Sequence, residues 1–426
     1  MFLLVPGRLP REGFWQALPC GSCPSAESFE IVGTTLCLLT FTLTNILSEL
    51  RGPPTILYEK VFLRNEYAVI FLETRGRLIY MITKKKVYVG MSGGVDSSVS
   101  ALLLKQQGYD VVGVFIKVWQ PDFVECTWKE DRLDAMRVAS VLDIPFITVD
   151  LEKEYKQGVI DYMIEEYRNG RTPNPDVMCN REVKFGAFFR WVKEQNTDAY
   201  IATGHYAETE NGSLKKSEDE DKDQTYFLWA ISREILRSVL FPVGGMKKEE
   251  VRRYATLHHL PVASKKDSQG LCFVGTIDIK TLLKKYIKEK KGDVLNEKGE
   301  VIGTHEGVMF YTIGERHGFT ITKKTRDDSP YFVIAKNIEH NTLTVSHTPY
   351  QEKKGDILTL EKTNWTQPIE KGTVCEARAR YRAPLGQIEI IDDTHVKVLS
   401  GDIVAASGQS LVVYSGNVCV GGGVIV

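Results

Sequence analysis

The sequence predicts an α/β protein: a doubly wound parallel sheet, then a small central domain and a C-terminal antiparallel β-barrel. Three observations predict it. Between residues 84 and 280, apolar strand-like runs alternate with helix-spaced segments. The first of those runs passes through a Gly-rich turn straight into a helix, and past residue 280 short apolar runs separated by Gly turns replace the alternation.

The opening unit reads KKKVYVGMSGGVDSSVSALLLKQQG, an apolar strand, a tight turn and a helix that begins at once. VVGVFIKVW (residues 111–119) is a second buried-type strand. The helix expected over residues 129–142 carries Ala135, Val138, Ala139 and Leu142 at helical spacing, and PFITVD supplies a third strand. Residues 152–168 read as a helix, 170–180 as a Pro-punctuated loop, 182–194 as a helix, and AYIATGH (199–205) as a further strand. Ligands in such sheets sit beyond the carboxyl ends of the strands, where residues 92–97, 116–119 and 204–206 converge. KSEDEDKD (216–223) reads as a solvated loop. The tail runs GDILTL, TVCEARARY, QIEII, HVKVL and SLVVYS give the barrel. The expected division is 1–80 as an unmatched extension, 81–285 as the catalytic domain, 286–346 as the central domain and 347–426 as the barrel.

Residues 1–80 mix Pro, Gly, Thr and apolar residues without a sustained period, so the folded domain is expected to start near residues 81–87. The stretch 31–48 is Thr-rich and at the short end for a bilayer. Its distance from the terminus does not suit a secretory signal, and the Glu content of the extension does not suit a transit peptide. The preferred reading is upstream translated sequence with Met81 as the working start and a cytoplasmic protein; a genuine transit segment would make it mitochondrial. Cys20 and Cys23 form a lone CxxC with no second pair, which supports neither zinc nor redox chemistry.

With 426 residues, 43% hydrophobic and 26% charged, the chain can bury a sizeable core in two or three domains. Its 54 Lys and Arg against 55 Asp and Glu exclude a globally basic nucleic-acid coat but leave room for a local basic groove. The 8 Cys are scattered, which fits a reducing compartment better than a disulfide framework.

SGGVDSS (92–98) sits between strand and helix. Gly93 and Gly94 let backbone amides approach a ligand, and the helix start adds N–H groups and a favourable dipole. Ser92, Ser97 and Ser98 add hydroxyls. No Lys followed by Ser or Thr ends the loop, so transfer of a γ-phosphate is poorly supported, and the GxGxxG dinucleotide spacing is absent. Asp96 is the residue expected to hold Mg²⁺ against phosphates. A nest of this kind suits a pyrophosphate leaving group, and hence adenylylation of a substrate.

Through GMSGGVDSSVSA, GVFIKVW, NGRTPNPDVMCNREVKFG, ATGHYA, KDQTYFL, SKKDSQGLCFVG, GTHEGVMFYTIGERHG and GQSLVVYSGNVCVGGGVI, the chain resembles the pyrophosphate-loop ATPases, more narrowly the tRNA-specific 2-thiouridylases. The resemblance implies an adenine-nucleotide alpha hydrolase type of sheet. It also implies ATP and Mg²⁺, a tRNA substrate with Lys, Glu and Gln acceptors, a persulfide sulfur donor protein, and a reductant. No membrane partner is expected, and the chain is read as a monomer. For the nucleotide it implies Gly90, Met91, Ser92, Gly93, Gly94, Val95, Asp96 and Ser97, with Ile116 as an apolar edge and Gly204 on the adenine side.

Cys179 in PNPDVMCN and Cys272 in KKDSQGLCFVG lie among Pro, Gly, Asp and Asn, and Arg181, Lys184, Lys265 and Lys266 are near in sequence to favour a thiolate. Cys126, Cys375 and Cys419 read instead as inert buried thiols. The resemblance assigns Cys272 as persulfide carrier, Cys179 as its catalytic partner and Asp176 as a base-positioning residue. Direct attack by the persulfide and release of sulfide both remain open, and both end in a Cys179–Cys272 disulfide.

For the RNA, the resemblance points to Asn174, Pro175 and Asp176 against the target uridine. It adds His205 at the site's entrance, Lys222, Asp223 and Gln224 as a second region, and Gln409 as a third. Asn174 and Asp176 also read as an Asx or Pro turn. ARARYR reads as a strand in which Arg378, Arg380 and Arg382 alternate around Tyr381, with Arg380 and Tyr381 as RNA contacts. Glu315, where the family commonly has Gln, and ASGQ, where a Pro is usual, depart from the pattern away from the bond-making residues. Two other function classes compete: a different adenylylating ligase or amidotransferase, which would not need paired cysteines, and a noncatalytic RNA-binding protein, which would not need the phosphate loop.

Overall fold

The computed structural model describes residues 59–64, 67–74, 77–123, 128–267, 278–322, 329–401 and 403–426, with side chains from residue 84 onward. Cys20, Cys23, Cys126, Cys272 and the stretch 31–48 lie outside the described residues. The chain divides into two units, Met1–Lys85 and Lys86–Val426.

The first unit holds a three-stranded antiparallel meander of β1 (Glu59–Arg64), β2 (Tyr67–Thr74) and β3 (Arg77–Lys84). This differs from the aperiodic extension read from the sequence. Met81, expected to open the domain, pairs with Ile70 inside β3. The strands are rich in β-branched and aromatic residues, which favour a pleated surface even where no clean alternation announces it.

In the second unit come β4 (Lys86–Gly90), β5 (Asp110–Lys117), β6 (Phe146–Asp150), β7 (Tyr200–Ala202), β8 (Glu208–Glu210), β9 (Ser213–Lys215) and β10 (Val239–Leu240). Five of them form a parallel sheet in the order β10-β7-β4-β5-β6. Chain order runs outward from β4 to β6 and then returns to β7 on the other side. The switch point therefore falls between β4 and β7, where a doubly wound sheet opens a crevice. Both faces are covered. Val87 and Val89 join one core with Val95, Val99, Leu102 and Leu104 of α1 (Val95–Gln106) and Val138 of α2 (Trp128–Val141). Tyr88, one residue out of phase, joins the opposite core with Tyr155, Val183 and Phe188. Each such fully buried side chain contributes about 1.5–3 kcal/mol.

The central domain contains β11 (Gly292–Leu295), β12 (Val301–His305), β13 (Thr320–Ile321), β14 (Phe332–Asn337) and β15 (Thr342–Ser346), ordered β13-β12-β11-β15-β14. Its Lys336 ammonium donates at 2.7 Å each to the Tyr311 carbonyl of the same domain and to the Gly170 carbonyl of the segment that holds the parallel sheet. Burial pushes that ammonium down to about 8.

The tail forms β16 (Ile357–Trp365), β17 (Val374–Arg378), β18 (Gly386–Ile390), β19 (His395–Ser400), β20 (Ser410–Ser415) and β21 (Val418–Ile425). Pairing runs β16-β19-β18-β17-β20-β21 and β21 pairs back to β16, which closes an antiparallel barrel and removes its edges. Leu358, Leu360, Ala377, Ile388, Val396, Val398, Leu411 and Val413 fill it, and Cys375 is buried among them as an inert thiol. The β8–β9 hairpin that follows β7 pairs onto β21. Cys419 lies fully buried beside that seam, and burial pushes its thiol up to about 12. Among the described residues, no helix is long and apolar enough to cross a membrane.

Candidate functional site

The phosphate loop leaves β4 at Gly90 and enters α1 at Val95. Gly93 has φ +75°, and a Cβ there would meet the Asp131 carbonyl oxygen at 2.3 Å, so only glycine fits. Ser97 Oγ and Ser98 Oγ donate to the Gly94 carbonyl at 3.2 and 2.7 Å, and the Ser92 amide donates to Ser97 Oγ at 3.3 Å. These hydroxyls shape the loop. Gly94 is the N-cap and brings no side-chain cap, so the first-turn amides of α1 are not claimed by a capping side chain. A Cβ on Gly90 would lie 3.7 Å from the Ala202 oxygen and Thr203 Cγ2 and 3.9 Å from Ile116 Cδ1. These are ordinary packing distances, and they put the Ile116 side chain beside the start of the loop.

Gly204 packs directly on the start of α1: a Cβ there would come within 2.5 Å of the Ser97 nitrogen and 2.7 Å of the Asp96 carbonyl carbon. Next to it, His205 Nδ1 lies 2.7 Å from Thr203 Oγ1, and its Nε2 lies 3.4 Å from the Lys184 ammonium. Lys184 can only donate, so His205 Nε2 accepts and Nδ1–H donates to Thr203. Burial, and then the Lys184 charge, push the imidazole well below its ordinary range. His205 is a neutral ring between Phe185 and Phe241, not a cation.

The Pro-rich segment expected to be a loop up to Asn180 is helical from Pro175. α3 (Pro175–Met178) continues as a π-helix over Cys179–Ala187 and an α-helix over Phe188–Gln195. The reason is the cap: Asn174 Oδ1 accepts from the Asp176 and Val177 amides at 3.2 Å each, and Pro175 occupies the first turn. The Asx turn read from the sequence is thus a helix start. Cys179 is 1% exposed and opens the π segment, a geometry that concentrates at functional sites. Asn174→Ala is expected to cost about 1 kcal/mol by urea denaturation. Hydrogen exchange should rise first at Asp176 and Val177; unchanged protection there would count against the cap.

Of the cations read as neighbours of the thiols, Lys184 lies on the Cys179 helix and reaches His205. Arg181 pairs with Glu182 at 3.1 Å. Lys265 bridges Asp131 and Asp134 of α2 at 2.8 Å each, while Cys272, its neighbour in sequence, lies outside the described residues.

Asp96 does not present a vacant carboxylate to Mg²⁺. Both of its oxygens accept from Lys248 Nζ, at 2.7 and 2.8 Å, and Oδ1 also accepts from Tyr206 Oη at 2.9 Å. Among the described residues, no group of three or more His, Cys, Asp or Glu is placed to hold a metal ion. The residues present do not fit a metal at Asp96. Lys248, in the first turn of α4 (Lys248–Leu257), also reaches Asp267 at 2.9 Å. Asp267 pairs further with Arg252 at 2.5 Å and Lys222 at 3.4 Å. Burial alone would raise the Asp267 carboxyl, but these cations, Lys248 foremost, hold it below its usual range. Sequence reasoning missed Lys248 because KKEE at a helix start reads as solvent-facing charge.

The expected RNA contacts divide. Asp223 is 6% exposed, and its carboxylate accepts from the Thr225 hydroxyl and amide and the Ser217 amide. Facing RNA would strip it of these partners, so the structure makes it an internal brace of the turn. Gln224 Oε1 accepts from the Tyr206 amide at 2.9 Å. Gln409 Nε2 donates to the Thr172 carbonyl at 2.7 Å, tying the barrel to the segment before Asn174. ARARYR is not one strand. β17 ends at Arg378, and Arg382 has φ +61° in a turn. Arg378 lies over the Tyr414 ring, Arg380 donates to the Ile313 carbonyl of the central domain and Arg382 donates to the Asp221 carbonyl, so each has an internal target. Tyr381 packs on Phe227 with ring centroids 4.5 Å apart, an aromatic pair that sequence reasoning did not isolate. Asn180 of the thiol helix donates to the Phe227 carbonyl at 3.0 Å, which places this pair next to the Cys179 turn.

Comparison with known proteins adds the family. Residues 85–276 match the tRNA methyl transferase HUP domain, 280–347 the tRNA methyl transferase PRC-barrel domain, and 355–425 the aminomethyltransferase beta-barrel domain. A tRNA-specific 2-thiouridylase of Listeria innocua is 44% identical over 353 residues, covering 80% of this chain and 94% of that protein. That of Enterococcus faecalis is 44% identical over 358 residues, covering 80% and 96%. Among solved structures, a 4-thiouridine synthetase–RNA complex with bound ATP aligns at 19% identity and a TM-score of 0.29, covering 53% of this chain and 59% of that one. A U34-tRNA thiolase of Methanococcus maripaludis aligns at 18% and 0.28, covering 48% and 67%. By identity and coverage, this chain belongs to the tRNA-specific 2-thiouridylase family.

Proposed function

We propose that this protein replaces the C2 oxygen of the wobble uridine of tRNA with sulfur, using ATP to activate the oxygen. The observation that carries the reading is a short chain of contacts. Lys184 of the thiol-bearing helix meets His205 at 3.4 Å, and the adjoining Gly204 packs against the start of α1, behind the phosphate loop. Thiol helix and phosphate loop thus share one carboxyl edge of the sheet, and thiouridylases matching 80% of the chain lend the chemistry.

The uridine O2 attacks the α-phosphorus of ATP; pyrophosphate leaves towards the amides of the loop, whose positive ends stabilise its charge. The terminal sulfur of a Cys272 persulfide then adds at C2 and AMP departs. Cys179 thiolate attacks Cys272 Sγ, so the sulfur stays on the base and a disulfide forms. In the variant route, Cys179 first releases hydrosulfide, which itself adds at C2. Both routes need a reductant for the disulfide and a donor protein to reload Cys272. Gly90 to Ser97, Ile116 and Gly204 frame the nucleotide. Asn174, Pro175 and Asp176 position the base, His205 stands at the entrance, and Lys222, Gln224, Arg380, Tyr381 and Gln409 border the RNA. The acceptors are tRNAs for Lys, Glu and Gln, the enzyme is a cytoplasmic monomer, and catalysis, linkage and RNA binding fall to residues 81–285, 286–346 and 347–426 in turn.

The descriptions of the matching domains speak of methyl transfer. A methyl group delivered from a sulfonium needs no polyphosphate nest at a helix start, so the loop favours thiolation. The test incubates the protein with unmodified tRNA, ATP and a persulfide donor, then digests the RNA for nucleoside mass analysis. The expected product is 2-thiouridine with one AMP and one pyrophosphate per base. A methylated nucleoside, or AMP release without thiolation, overturns the reading.

A further inference from the structure

We propose that Lys248 is a positioning residue of the nucleotide site. It holds Asp96 as a neutralised pair, so that the first turn of α1 offers a polyphosphate its amides and no bare negative charge. The role rests on the ATP reading above and deepens it.

Asp96 stands in the first turn of α1, where its charge favours the helix but opposes any anion arriving at the same amides. Lys248 answers both oxygens of that carboxylate from a side chain only 11% exposed, where water screens the pair weakly. Its ammonium also lies 5.7 Å over the Tyr206 ring, and its backbone amide donates to Asp219 at 2.9 Å, which fixes the start of α4. The ion pairs are asymmetric. Among the described residues, Asp267 keeps Arg252 and Lys222 if Lys248 is lost, whereas Asp96 keeps only the Tyr206 hydroxyl. Burial, and then the Asp96 charge, push the Tyr206 hydroxyl far above its ordinary range, so it stays a neutral donor and cannot replace a cation. Loss of the Lys248 charge therefore falls on the phosphate loop. The same pairing explains why Asp96 is a poor metal ligand here.

Titration calorimetry of the full-length protein with α,β-methylene-ATP tests the role. Lys248→Met is expected to weaken binding on the order of 30-fold or more, because a mostly buried carboxylate is left unpaired beside the phosphates. Adding Asp96→Asn should return most of that loss, and Lys248→Arg should retain binding. Lys248→Gln keeps a donor without the charge; it is expected to bind as weakly as Lys248→Met and carries the test if the Met variant does not fold. A merely structural lysine would lower the melting temperature without rescue by Asp96→Asn. Binding as tight in Lys248→Gln as in the wild type, or a double variant as weak as the single, overturns the role alone. A wild type that binds no analogue overturns the ATP reading and this role together.

Discussion

Cys179→Ser is expected to abolish 2-thiouridine formation, with a fall on the order of a thousandfold or more, while α,β-methylene-ATP still binds. Only a thiolate can attack a persulfide sulfur and end in a disulfide, and a serine hydroxyl neither ionises near neutral pH nor forms an S–O counterpart of that bond. The side chain is 1% exposed on the first π turn, and exchanging a buried sulfur for a more polar hydroxyl costs about 1 kcal/mol of stability. Single-turnover assays with pre-loaded persulfide, read beside the melting curve, separate the two effects. Thiolation at the wild-type rate would remove Cys179 from the chemistry.

Gly204→Val should weaken nucleotide binding and stability together. A Cβ at that position would lie 2.5 Å from the Ser97 nitrogen and 2.7 Å from the Asp96 carbonyl carbon, both backbone, so α1 or the end of β7 must move. Overpacking of this kind costs about 1–3 kcal/mol. Here the displaced backbone is the first turn of α1, so on the ATP reading affinity should fall about tenfold or more. Gly90→Ala is the comparison, because its Cβ would meet nothing closer than 3.7 Å. Urea midpoints should therefore drop for Gly204→Val and stay for Gly90→Ala. Equal midpoints would mean that the loop yields without strain.

The parallel sheet was legible because β4, β5 and β6 are each a short apolar run followed by helix spacing, and because two glycines stand where β4 turns into α1. The barrel was legible from its turn spacing. Less legible was what depends on distant partners. PNPD carries loop-forming prolines and a helix cap at once, and which reading holds is decided by what Asn174 finds to accept from. Arg378, Arg380 and Arg382 look periodic, yet each is claimed by a different neighbour. Asp223 sits in a run of charges that reads as solvated, and only the fold shows its carboxylate turned inward. Lys248 gave no signal because its two acidic partners are far from it in sequence.

The seam between the β8–β9 hairpin and β21 carries a mechanical consequence. That hairpin begins three residues beyond His205, so a pull on the last strand is felt at His205 through a few peptide units. Deleting the last strand would strip the β8–β9 hairpin of its ladder partner, so the two ends of this unit cannot be traded as separable modules.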